Sequence, residues 1–221
     1  MANPPALRWN TVDGRSPDEG RLGAVLFVAA LAAEVTAFED VPVLLTGCGK
    51  LNASVALSQA LAVHQFDLVV NVGTAGSLDT AHDGLHVVGA CVEHDLDALS
   101  LERLTGERPV ACLDLGTGTG TVVATGDRVV ADPAEARRIA SLGAHLVDME
   151  AFALARVCAA FGVPFLCAKY VSDQADAHTA TAWTTSVHQA SEALFAFSRE
   201  LPASPPVPVP VTAPEPAPRA T

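Results

Sequence analysis

The chain has 221 residues, of which 50% are hydrophobic, 17% charged and 5% aromatic, with a mean hydropathy of +0.32; a composition this apolar excludes general disorder. Its longest wholly apolar run, Ala24 to Ala33, is ten residues, too short to cross a bilayer, and acids rather than a basic segment precede it, which argues against a secretory signal. The net charge is −12, with Lys50 and Lys169 the only lysines, so the basic stripe that nucleic acid or anionic lipid requires is missing.

In chain order, residues 1–20 are polar without apolar periodicity and read as a flexible N-terminal segment. Short runs rich in apolar and β-branched residues then alternate with helical patterns. Strands are expected at Ala24–Ala30, Val41–Thr46, Asp67–Val72, His86–Val92, Thr121–Thr125 and Pro164–Ser172. Most are continuously apolar, as strands covered by helices on both faces should be. Helices are expected at Leu51–His64, after Asp132-Pro133-Ala134-Glu135, over Glu150–Phe161 and over Thr181–Leu201. The second has an acid N-cap, proline at the first helical position and glutamate at the third; the next stops at Gly162 with Pro164 beyond. No helix is assigned between Asp97 and Thr125. Residues 202–221 hold eight of the fifteen prolines and read as a disordered tail, which leaves 21–201 as one compact α/β domain.

Several local patterns invite a site and are better read as structure. Gly116-Thr-Gly-Thr-Gly120 runs into a strand, so it offers no helix N-terminus to a dinucleotide and is expected to be a flexible connection. Gly47-Cys-Gly-Lys50 does join a strand to a helix, so its amides could face an anion, yet it lacks the spacing of a nucleotide triphosphate loop. His82 and His86, or His94 with Asp95 and Asp97, do not complete a metal ligand set; no metal and no cofactor are expected. Five cysteines, an odd set without a C-x-x-C pair, read as buried reduced thiols of a cytoplasmic protein.

Carboxylates beside strand ends say more. Glu34 follows the first apolar run, Glu150 stands where Leu146-Val-Asp-Met149 hands over to a helix, and Asp173 follows Phe165–Val171. Acids at strand ends of an α/β sheet gather in the crevice where ligands bind. Lys169, inside the last apolar strand, needs a partner there, because an unpaired buried ammonium is costly.

Six motifs in order, Ala-Ala-Glu34-Val, Gly47-x-Gly-Lys50, Asn71-Val-Gly-Thr74-Ala-Gly76, Thr125-Gly-Asp127, Val147-Asp-Met149-Glu150-Ala and Val171-Ser-Asp173-x-Ala-Asp176, resemble the nucleoside phosphorylase and nucleosidase superfamily. The 5′-methylthioadenosine/S-adenosylhomocysteine nucleosidases are the branch most similar. The resemblance implies a three-layer αβα sandwich with a mixed central sheet, a homodimer, and a small-molecule purine nucleoside as substrate. Because Glu34 replaces the Gly-Asp-Pro-x-Arg phosphate loop of the phosphorylases, hydrolysis is favoured over phosphorolysis.

Carried over by position, Glu34 activates the water, with Thr74 and Lys169 near it. The resemblance implies that Met149 and Glu150 would hold the ribose, Asp173 would protonate N7 of the leaving purine, and Ser172 would help orient it. Val129 and Val130 stand where the family places an aromatic on the purine and would read the base edge with their backbone. Trp183, on a segment over 174–185 that reads as a mobile lid, would cover the 5′ group. Asp97–Thr125 is shorter than usual, which implies a missing helix and a reduced 5′ pocket. A futalosine-type hydrolase, a purine nucleoside phosphorylase and a non-catalytic nucleoside-binding relative are the alternatives; Asp173, rather than an asparagine, favours a 6-aminopurine.

Overall fold

The computed structural model describes residues 24–201. The expectations for residues 1–20 and 202–221 lie outside them. Among the described residues nine strands form one mixed sheet, with β3 (Leu68–Ser77) at its centre. On one side β3 pairs in parallel with β1 (Val25–Ala29), which pairs with β2 (Val43–Leu45). On the other it runs parallel to β9 (Phe165–Asp173); its last residues, Gly76 and Ser77, also pair antiparallel with β8 (Leu146–Asp148), on the edge opposite β9. The sheet continues through β7 (Val122–Thr125), β5 (Ala90–Glu93) and β6 (Cys112–Asp114), while β4 (Leu85–Val87) lies antiparallel on β9.

The continuously apolar strands are explained by cores on both faces. Leu26, Val28, Val69, Phe165 and Cys167 point one way, beneath α1 (Lys50–Val63) and α4 (Ala151–Phe161). Their neighbours Phe27, Ala29, Val70, Leu166 and Ala168 point the other way, against Phe38 and α5 (Thr179–Ser198). This period of two, apolar at every position, makes the expected three-layer αβα sandwich.

Helix ends follow the local chemistry. Asp132 caps α3 (Pro133–Ala140) by accepting from Ala134 N at 3.0 Å, and α4 closes on Gly162 in the left-handed conformation, φ +69°.

Four expectations are corrected. The run His86–Val92 is two strands, because its first residues pair with β9 and its last with β6 and β7; at the break Gly89 leaves the Thr119 carbonyl the space a Cβ would need. The glycine-rich 116–120 segment is clasped to that break: Thr117 Oγ1 donates to Val88 O at 3.1 Å and Thr119 Oγ1 to Val87 O at 2.8 Å. A helix, α2 (Ala98–Thr105), does form between Asp97 and Thr125; it buries no residue, so its sequence carries no core-facing stripe to read. Cys48 and Cys112 are exposed, whereas Cys91, Cys158 and Cys167 are buried thiols.

Candidate active site

Three strand ends and the short 3-10 turn at Ala32–Val35 converge on a cleft of about 440 Å³. Nine of the ten residues singled out from the sequence line it: Glu34, Thr74, Val129, Val130, Met149, Glu150, Ser172, Asp173 and Trp183. Lys169 is not among the lining residues.

Glu34 is fixed by its neighbours. Its Oε1 accepts from Thr74 N at 2.8 Å and Thr74 Oγ1 at 2.7 Å, and its Oε2 from Leu31 N at 3.1 Å. Gly73 leaves room for this: a Cβ there would stand 3.1 Å from Glu34 Oε1 and 3.5 Å from Lys169 Nζ. Lys169, 2% exposed, is therefore behind Glu34 rather than in the cleft, and its ammonium pairs with Asp148 Oδ2 at 2.8 Å. Burial works against the charged lysine, but Asp148 and then Cys167, Glu150 and Glu34 outweigh it and raise the ammonium pKa.

Asp148, which the sequence reading passed over, joins this pair to the start of α4. Its Oδ1 accepts from Thr125 Oγ1 at 2.6 Å and its Oδ2 from Ala151 N at 2.9 Å, while Thr125 Oγ1 accepts from Phe152 N at 3.0 Å. Two side chains from adjacent strands thus satisfy the first amides of α4 and fix Glu150 at its N-cap position. Glu150 Oε1 accepts from Gly49 N at 2.7 Å. Burial, then the charge of Asp148, pushes the Glu150 carboxyl up to about 7, against the opposing pull of Lys169 and the Gly49 amide.

The Gly47-Cys-Gly-Lys50 loop serves anions of the protein itself. Besides Gly49 on Glu150, Lys50 N donates to Asp127 Oδ1 at 2.7 Å, and Lys50 Nζ lies 2.5 Å from Glu93 and 2.6 Å from Asp95. Gly49 needs its φ of +94°, and a Cβ there would meet Asp127 Oδ1 at 3.0 Å. His94 packs its ring on Gly126 and Asp97 caps α2 through Ser100 N, so these residues have structural places. Among the described residues no group of three or more His, Cys, Asp or Glu converges as a metal site.

A bulge aims the last two residues. Ala75 pairs with Val171 but Gly76 pairs with Asp173, so Ser172 is an extra residue on β9. Consecutive strand residues normally face opposite sides; the bulge lets Ser172 and Asp173 both reach the cleft. Asp173 Oδ1 accepts from Ala175 N at 2.9 Å and Thr179 Oγ1 at 2.8 Å, and Oδ2 from Ser172 Oγ at 2.8 Å. Ala175 takes a φ of +48°, rare for a residue with a Cβ, to bring its N–H onto the carboxylate.

The expected lid is corrected. Residues 179–198 are helical, and Trp183 is tethered within α5, donating from Nε1 to Thr74 Oγ1 at 3.0 Å. Val130 is buried, whereas Val129 is 68% exposed beside the cleft. Sequence reasoning missed Cys48 and Thr179. Cys48 lies between two glycines at a strand end, a position that could have flagged it, and burial followed by the charges of Glu150 and Glu34 raises its thiol pKa. Thr179 lies six residues from its partner Asp173 and is indicated by no periodic pattern.

An α/β sandwich whose carboxylates crowd one small cleft, with hydroxyls and amides fixing their orientation, defines an enzyme class that works on a polar small molecule. The comparisons place it more narrowly: residues 34–201 match the sequence profile of the phosphorylase superfamily, and the chain belongs to that superfamily. It is 31% identical over 158 residues to the 5′-methylthioadenosine/S-adenosylhomocysteine nucleosidase of Marinomonas sp. (strain MWYL1), covering 61% of this chain and 68% of that one. Its fold is similar to a nucleosidase of the same name from Helicobacter pylori, crystallised with butyl-thio-DADMe-Immucillin-A (TM-score 0.71, 19% identity, 81% of this chain and 97% of that one). It is also similar to the futalosine hydrolase of Helicobacter pylori strain 26695 (TM-score 0.70, 21% identity, 80% and 95%).

Proposed function

We propose that this protein is an N-glycosyl hydrolase that cleaves an adenine nucleoside of the 5′-methylthioadenosine/S-adenosylhomocysteine type into free adenine and free sugar. The observation that carries the reading is the convergence of Glu34, Glu150 and Asp173 on one cleft, each held by donors that leave an oxygen available to a ligand. Glu34 takes a proton from the attacking water as its oxygen bonds to C1′. The C1′–N9 bond breaks, its electron pair passes to the purine, and Asp173 delivers a proton to N7. Glu150 and Met149 hold the ribose hydroxyls, which keeps the oxocarbenium-like sugar in place while it forms. Val129 and Val130 present backbone to the base edge, and the Trp183 ring borders the 5′ side.

Hydrolysis is supported over phosphorolysis by the balance of charge. Lys169 is paired with Asp148, and Arg128 is the one cationic residue among those lining the cleft. An incoming phosphate dianion at Glu34 would face the carboxylates of Glu34, Glu150 and Asp173 with Arg128 as the one cation lining the cleft. We further propose a homodimer, for which the exposed Leu51 and Val55 on α1 offer an apolar face, and a reducing cytoplasmic setting, which suits free Cys48 and Cys112.

The test is a panel of 5′-methylthioadenosine, S-adenosylhomocysteine, adenosine and inosine, each with and without phosphate and scored for free base and sugar. Adenine release unaffected by phosphate supports the reading. A sugar phosphate would assign phosphorolysis, preference for the 6-oxopurine a futalosine-type specificity, and binding without turnover a non-catalytic relative.

A further inference from the structure

Trp183 and Thr74 are 109 residues apart in the chain, yet the indole N–H of one meets the hydroxyl of the other at 3.0 Å. That hydroxyl is 2.7 Å from Glu34 Oε1. The direction of the relay follows from the chemistry of the three groups. An indole N–H only donates, so it occupies a lone pair of Thr74 Oγ1. A hydroxyl has a single proton, and Glu34 Oε1 is its acceptor. The same oxygen also accepts from Thr74 N at 2.8 Å. Oε1 is thereby committed to two hydrogen bonds, while Oε2 accepts only from Leu31 N at 3.1 Å.

We infer that the indole N–H of Trp183 is a positioning group for catalysis: acting through Thr74, it turns the hydroxyl proton onto Glu34 Oε1 and leaves Oε2 as the oxygen that takes the proton from water. The inference rests on the nucleosidase reading of Glu34 and goes beyond it by separating the two carboxylate oxygens and giving Trp183 a role distinct from covering the 5′ group. The rest of the helix supports a fixed geometry. Ser186 Oγ donates to Ser172 O at 3.0 Å and Thr179 Oγ1 to Asp173 Oδ1 at 2.8 Å, so the first turns of α5 are tied to Asp173 and to the backbone of its neighbour Ser172. Without the indole, the Thr74 hydroxyl can rotate toward water or ligand, and Glu34 Oε1 is left with the Thr74 amide as its one donor.

The test separates ring from N–H. Trp183→Phe keeps an aromatic ring and removes the donor; it should lower kcat about tenfold, in line with one lost hydrogen bond, with KM changed less than about twofold. Thr74→Val should lower kcat at least as much, Thr74→Ser should recover most of that loss, and the Trp183→Phe/Thr74→Val double variant should be no slower than Thr74→Val alone. Independent additive losses, or a rise in KM at unchanged kcat, would overturn the relay. A second readout needs no turnover: the Trp183 indole 1H–15N signal should move in Thr74→Val and in Glu34→Gln but stay near its original position in Thr74→Ser. An indole signal indifferent to Thr74 and Glu34 overturns the inference even if the nucleosidase reading holds. A wild-type protein inactive on every nucleoside refutes that reading while the signal still decides the relay.

Discussion

Replacing Asp173 by asparagine changes the chemistry of the cleft far more than its shape. The retained oxygen can still accept from Ala175 N and Thr179 Oγ1, the two partners of Oδ1. The new amide takes the place of Oδ2, where Ser172 Oγ now donates at 2.8 Å; that hydroxyl can accept from the amide instead and turn its own proton to Ala75 O, already 3.4 Å away. All three contacts survive with one donor reversed, so Asp173→Asn should cost no more than about 1 kcal/mol of stability. With Asp173 as the proposed acid, proton delivery to the leaving base would be lost outright. A positioned acid typically contributes about 10²–10⁴-fold, roughly 3–5 kcal/mol of barrier. The assay is hydrolysis of 5′-methylthioadenosine beside a riboside of p-nitrophenol, whose leaving group departs without protonation. Asp173→Asn should lose two to four decades (about 10²–10⁴-fold) on the first and little on the second, whereas Glu34→Gln should slow both. Equal losses of Asp173→Asn on the two substrates, with an unchanged melting temperature, would refute the assignment of Asp173 as the acid.

Two further outcomes follow from the buried charges. Glu150 titrates near 7 in the folded protein, against about 4.3 for a free glutamate. Between those values the native state holds a proton the unfolded chain has released, so this group's contribution to stability is full below about pH 4 and declines as pH rises to 7. Denaturant titrations across that range should show the decline in the wild type and a flatter profile in Glu150→Gln; identical profiles would count against the buried, carboxylate-crowded setting of Glu150. Lys169→Met should destabilise the fold by about 3–5 kcal/mol, because Asp148 is left buried beside Glu34 and Glu150 without its cation. Adding Asp148→Asn should return part of that loss in urea unfolding, and a double variant less stable than Lys169→Met would show that the pair is not the source.

Much of the frame is legible along the chain. The αβα layering follows from apolar strands such as Val25–Ala29 and Phe165–Ala168, which leave no polar face for solvent. The bounds of α3 and α4 follow from Asp132-Pro133 and Gly162. The strand-end positions of Glu34, Glu150 and Asp173 are visible in sequence because each follows an apolar run by one or two residues. Such signals are local: they depend on spacings of two or about 3.6 residues and on capping chemistry within a turn.

What lay beyond the sequence depends on register between distant segments. That Lys169 pairs with Asp148 instead of facing the cleft is fixed by β9 and β8 both pairing with β3, with Lys169 in register with Gly73. That Ser172 and Asp173 face the same way is fixed by one extra residue in β9, opposite a β3 that lies almost a hundred residues earlier, as the 97-residue separation of Ser172 and Ala75 shows. The partners of Lys50 are set in the same way, since β5 and the residues just after it bring Glu93 and Asp95 to its ammonium. Trp183 reads as a lid until α5 docks its N–H on Thr74. Residue types and local periodicity select the layers and the acids, but a single strand slip would exchange every one of these partners, so the ion pair, the bulge and the relay exist only once the sheet has set its register.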